Sequence, residues 1–191
     1  MVGNIPNFTK IDILRCFLRF KKNIGRQELS KELYLGEGTI RTILESLKSK
    51  KLIDSTKKGH FLSKRGNEIL AQISENISMP KEISIENIYP NYKKAGILIK
   101  NASNLKHLPK LRDIAVKNGA EGALILKFDD KLFAPESDYQ EDYKDLEKQF
   151  KLKNNDALVI AFSSKNNIAE TGALSIAVEL TDSLKKFLKE F

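Results

Sequence analysis

Apolar residues recur at helical spacing through the first eighty positions and then give way to short continuous runs. From Phe8 to Phe20, Ile11, Ile13, Leu14, Phe17 and Leu18 share one broad helical face, and Arg15, Arg19, Lys21 and Lys22 leave it. Cys16 lies beside that face and reads as a small core residue. After Asn23-Ile24-Gly25 the segment RQELSKEL, with Leu29 and Leu33 four apart, predicts a short second helix. Leu35-Gly36-Glu37-Gly38 then predicts a tight turn, and TIRTILESLKSK predicts a third helix whose Ile40, Ile43, Leu44 and Leu47 turn inward. A short helix, a glycine-bearing turn and a second amphipathic helix form a helix-turn-helix pattern.

Residues 52–62 read as strand, turn and strand, with Gly59 supplying a left-handed turn position and Lys57 and Lys58 at the tip. Ser63 is placed to cap a fourth helix, KRGNEILAQISENI, with Ile69, Leu70, Ile73 and Ile77 inward. Residues 81–92, KEISIENIYPNY, show no sustained helical period and read as a linker.

The rest of the chain alternates. Strands are predicted at Lys94–Lys100, Ala123–Phe128, Leu132–Ala134 and 157–162 (ALVIAF). A helix from about Leu105 to Asn118 has Leu108, Leu111, Ile114 and Ala115 inward and Pro109 in its first turn. An acidic helix sets Tyr139, Tyr143, Leu146 and Phe150 on one face, with Asp142, Asp145 and Glu147 off it. A long helix from about Ala169 to Phe191 closes the chain. The order predicts an α+β or α/β chain: an N-terminal helix-turn-helix domain (1–80), the linker, and a small mixed-sheet α/β domain (93–191) with at least one right-handed crossover.

Charge adds a partner. Residues 1–80 hold 15 basic and 8 acidic side chains, a net of +7, whereas residues 81–191 hold 18 and 17, so almost all of the chain's +8 lies in the first domain. A basic module joined to a balanced one suits nucleic-acid binding, although a lysine-rich solvated surface has the same composition. On the third helix, Gly38, Arg41, Thr42, Glu45 and Ser49 stand opposite the apolar face, and Arg and Thr are side chains able to bond base edges in the major groove. The candidate contacts to double-stranded DNA are Arg26, Gln27, Thr39, Arg41, Thr42 and Glu45 from the helices, with Lys57, Lys58 and His60 from the hairpin.

The segments GRQELSKELYLGEGTIRTILESLKSKKLI and GHFLSKRGNEIL resemble winged helix-turn-helix transcription regulators over residues 8–78. That resemblance implies a DNA-reading third helix and a phosphate-contacting wing. Over the whole chain, LRDIAVKNGAEGALIL, FDDKLFAP, DALVIAF and AETGALSIAVEL resemble a small uncharacterised archaeal family of winged-helix proteins with a C-terminal α/β domain. This second resemblance implies a transcription regulator and brings no assigned ligand or catalytic residue.

Candidate chemistry in the second half is sparse. There is no P-loop, GxSxG or HExxH motif, and His60 and His107 are the two histidines, so no enzyme, cofactor or metal site is expected. Asp129, Asp130, Glu136 and Asp138 are near in sequence, but turns and helix starts favour Asp for local reasons. Ser163 and Ser164 before a helix carrying Thr171 offer one place for an anion, and Arg112 with the glycines at 119 and 122 offers another. Close helix–sheet packing accounts for the same small residues. The terminal stripe Leu174, Ala177, Thr181, Leu184, Leu188 and Phe191 could pair two subunits or dock on its own sheet.

One Cys excludes an internal disulfide, no apolar run reaches the ~20 residues of a spanning helix, and MVGNIPNFTKIDIL lacks a signal-peptide layout. The expectation is a cytoplasmic, homodimeric DNA-binding regulator with a small-molecule effector and no membrane partner. An α/β enzyme or nucleotide-binding unit tethered to nucleic acid, and a protein-interaction adaptor, stand as alternatives.

Overall fold

A computed structural model describes residues 8–85, 87–102, 105–135, 137 and 141–191. Helix α1 (Lys10–Phe17) starts at a reciprocal cap in which the Thr9 hydroxyl accepts from the Asp12 N–H and the Asp12 carboxylate accepts from the Thr9 N–H. Helix α2 (Arg26–Leu33) ends where Tyr34 turns left-handed at φ 56°, and α3 (Glu37–Ser49) follows Gly36. Strands β1 (Ile53–Thr56) and β2 (Gly59–Leu62) form an antiparallel hairpin turned by Gly59 at φ 122°, and α4 (Lys64–Asn76) follows. The predicted inward residues of the first three helices, apart from the half-buried Ile11, are buried, with Leu52 and Ile53. The backbone of Ile24, between α1 and α2, exchanges two hydrogen bonds with His60 and so adds a third edge to the hairpin.

Two residues differ from the one-face reading of α1. Arg15 is 1% exposed rather than solvent-facing: its guanidinium bonds the Asp12 carboxylate at 3.0 Å and the Leu33 carbonyl at 3.3 Å. A cation with five donors can enter the core there because a carboxylate and a helix-end carbonyl meet it. Cys16 is fully buried, and desolvation pushes its thiol up to about 12. Ser63 caps α4 as expected, accepting from the Gly66 N–H at 3.0 Å and donating to the Lys51 carbonyl at 2.6 Å. Gly66 is required by space, since a methyl group on it would overlap the Leu52 carbonyl oxygen.

The remaining strands form one sheet in the order β3-β4-β7-β5-β6, comprising Lys81–Glu82, Lys93–Ile99, Ala157–Ser163, Gly122–Asp129 and Lys131–Phe133 respectively. Every pairing is antiparallel, so the α+β class holds but the sheet is not mixed. A crossover is nonetheless present. Strands β4 and β5, joined through α5 (Leu108–Lys117), run in the same direction with β7 inserted between them. Helices α5 and α7 (Asn166–Leu180) cover one face, where Gly172 brings α7 down onto Ala120 and Ala161. The other face holds Leu126, Leu158 and Ile160 under Ile83, Ile85, Ile88, Tyr143 and Leu146.

That second layer corrects the expected linker at 81–92. Residues 81–82 form the edge strand β3, and Ile83 fills the space above Gly96, where a Cβ would meet its side chain. The chain divides instead into one unit of the described residues up to Gln72 with Lys186–Phe191, and a second of Ile73–Lys185. The acidic helix shortens to α6 (Lys144–Glu147), although Tyr143 and Leu146 are buried as its stripe requires; Tyr139 lies outside the described residues. The closing helix is two: Thr181 is extended (φ −132°, ψ 115°), its carbonyl accepts from Lys185 N–H, and α8 (Asp182–Leu188) starts there. In the first unit, the Phe187 ring lies 4.8 Å from Phe17 and 5.3 Å from Phe191.

Candidate nucleic-acid interface

Burying Ile40, Ile43, Leu44 and Leu47 leaves Gly38, Arg41, Thr42, Glu45, Lys48 and Ser49 exposed on α3, with Thr39 half-buried. Thr42 donates to the Gly38 carbonyl at 3.2 Å. Arg41 is exposed and its Nε donates to Glu45 at 2.9 Å; among the described residues its terminal guanidinium nitrogens have no acceptor. At the start of α2, Arg26 pairs with Glu37 at 3.1 Å and Gln27 is exposed. Exposed ion pairs contribute only about 0–1 kcal/mol, so phosphate oxygens or base edges can replace them at small cost.

The hairpin brings a second basic group beside these helices. Lys57 and Lys58 are exposed at its tip and, with Lys48, make no ion pair among the described residues. His60 is half-buried, with Nδ1 2.6 Å from Ser55 Oγ. Its pKa is lowered, first by burial and then by the charges of Lys48 and Arg26, two cations that reach it from two helices. Sequence reasoning included Arg26 and His60 but missed Lys48, which lies close enough for its charge to act on that ring. It also missed Tyr34, 71% exposed in the turn between α2 and α3. Its signal was an aromatic residue just after the Leu29–Leu33 pair, off the buried stripe.

The four ligand candidates of the second unit do not assemble. Ser164 N–H is 3.2 Å from the Glu121 carboxylate, so the protein's own anion fills the place expected for a ligand. The Ser163 hydroxyl makes no well-aligned hydrogen bond, yet it stands close enough to be the first cause holding Glu121 below the usual carboxylate range, with the Ser164 N–H assisting. Thr171 donates to the Asn167 carbonyl at 2.9 Å within its own helix, and Arg112 on α5 bonds none of these groups. Asp130 serves the β5–β6 turn, accepting from the Asn154 amide and donating its N–H to Asn154 Oδ1; Glu136 and Asp138 lie outside the described residues. In the stripe that could pair two subunits or dock on its own sheet, Leu174, Ala177 and Leu184 are fully buried within the chain. Among the described residues no helix is long and apolar enough to cross a membrane.

Residues 9–68 match the family model described as "PH0730-like, N-terminal domain", and residues 88–180 match a domain of unknown function, DUF4443. The solved structure of hypothetical protein PH0730 from Pyrococcus horikoshii OT3 is similar at a TM-score of 0.80 and 29% identity, covering 94% of this chain and 99% of that one. No curated protein matches the chain. These matches fit an uncharacterised archaeal two-domain family.

Proposed function

We propose that this protein is a DNA-binding transcription regulator built on an N-terminal winged helix-turn-helix. Helix α3 enters the major groove with Arg41, Thr42 and Glu45 toward base edges, and the β1–β2 hairpin is the wing that lays Lys57 and Lys58 on the phosphate backbone. The observation that supports this reading best is the union of a polar, exposed α3 face with an exposed lysine tip on a hairpin that the Ile24 backbone locks to the helices. The net +7 of residues 1–80 supplies the attraction to DNA. The second domain senses a small ligand or mediates homodimerisation, which would place half-sites about one helical turn, or a multiple of it, apart.

Selection of genomic fragments at two salt concentrations tests the proposal. One enriched motif is expected, with affinity falling on a log–log salt plot by about 0.9 per phosphate contact. Enrichment of no motif, or affinity indifferent to salt, overturns it.

A further inference from the structure

A cavity of about 250 Å³ opens in the second unit where β4 ends and α7 gives way to α8. Its lining combines Lys100 and Asp182 with the amides of Asn76 and Asn101, while Ile99, Ala102 and Leu180 add a small apolar surface. Thr181 also lines it, 4% exposed, with a hydroxyl that bonds no group in the described chain.

From this lining we infer that the cavity binds a free α-amino acid. Lys100 Nζ is steadied by the Ser74 carbonyl at 2.6 Å, which uses one of its three donors and leaves two for a ligand carboxylate. The Asp182 carboxylate is exposed and makes no ion pair among the described residues, so it is available to a ligand ammonium. One cation and one anion around a polar cavity match a zwitterion. They serve a nucleotide poorly, which would bring two or more negative charges to a single lysine. The volume is also below the roughly 300–1,000 Å³ of sites for drug-sized ligands, and thus suits a small metabolite.

Two of the lining residues, Asn76 and Asp182, come from the last turn of α4 and the first of α8, the two helices through which the chain enters and leaves this unit. The role of this site as an effector site rests on the DNA-regulator reading; the binding itself does not.

The test uses the full chain, titrated calorimetrically with each of the protein L-amino acids, alongside alkylamines and simple carboxylates that carry one of the two charges. One amino acid or a chemically related few should bind, with single-charge analogues weaker. K100Q and D182N should each weaken binding by about tenfold or more, the scale of one charge-assisted hydrogen bond. Both positions are exposed, so the fold is retained, and K151A outside the cavity should leave binding unchanged. No amino acid bound by the wild type at millimolar concentration, or binding that survives both K100Q and D182N, overturns the proposal. DNA affinity measured on the same preparation separates the two readings. Motif-specific DNA binding without amino-acid binding overturns this site alone, whereas amino-acid binding lost in both variants supports it whatever the DNA result.

Discussion

Replacing Gly66 with Ala adds one methyl group where the first turn of α4 crosses the end of the segment entering β1. The new Cβ would overlap the Leu52 carbonyl oxygen and lie 3.0 Å from its carbon and 3.1 Å from Leu62 Cδ2. Backbone on one side cannot rotate away as a side chain can, so the helix start and the strand entry must separate. That separation strains the Ser63 N–H bond to the Leu52 carbonyl and the Ser63 hydroxyl bridge between Lys51 and Gly66. Overpacking costs about 1–3 kcal/mol and each weakened hydrogen bond about 1 kcal/mol, which together give roughly 3 kcal/mol or more.

At ~2–4 °C per kcal/mol for a chain of this size, the Tm should fall by roughly 6–12 °C, with a matching loss in urea unfolding followed by circular dichroism. Gly38→Ala is the counterpart of opposite sign. Nothing lies within 4 Å of its added Cβ in α3, so a gain of about 0.5–1 kcal/mol is expected. A Gly66→Ala protein within about 0.5 kcal/mol of the wild type would refute the reasoning.

Arg41→Ala should relax base preference at one position by ~1–3 kcal/mol, whereas Lys58→Ala should weaken all sequences alike and lower the salt slope by about 1; identical effects in a sequence-resolved binding assay would contradict the assigned roles. His60 binds a proton less readily folded than unfolded, so its contribution to stability is present above the ordinary imidazole value of 6.5 and is lost as pH falls from there toward the folded pKa. His60→Gln should flatten that part of the stability–pH curve, and a bound phosphate should raise the ring's NMR titration midpoint. Gly172→Ala puts a Cβ 2.8 Å from Ala120 Cβ and 3.1 Å from Ala161 Cβ, and should cost ~1–3 kcal/mol in denaturant. Cys16, buried with its thiol pushed up to about 12, should resist iodoacetamide until the chain unfolds; rapid labelling of native protein would show that α1 opens locally.

The helices of the first eighty residues were legible because one apolar stripe per helix must be buried, and burial fixes which side chains remain outside. Arg41, Thr42 and Glu45 stand exposed for that reason. Arg15 escaped the rule, since its burial depends on Asp12 and on the end of another helix, and periodicity carries no information about such partners. The isoleucines at 83, 85 and 88 escaped it because two strand residues and an irregular segment are too short to show a period. The break at Thr181 had a local signal, Thr-Asp-Ser, whose residue types start helices, but a continuous apolar stripe concealed it.

Taken alone, the sequence determined the order of the longer elements, apart from β3 and the break between α7 and α8, together with the uneven division of charge and the polar face of α3, because these follow from local propensity and from counting. Tertiary structure decided what covers the sheet, where the units divide, and which polar groups are already engaged. The Glu121 carboxylate occupies the Ser164 N–H, and Thr181, within the predicted stripe, breaks the helix and lines a cavity with Lys100 and Asp182. Those outcomes depend on residues about 40 to 80 positions apart meeting in space, and the energies that bring them together belong to packing and desolvation rather than to either segment alone.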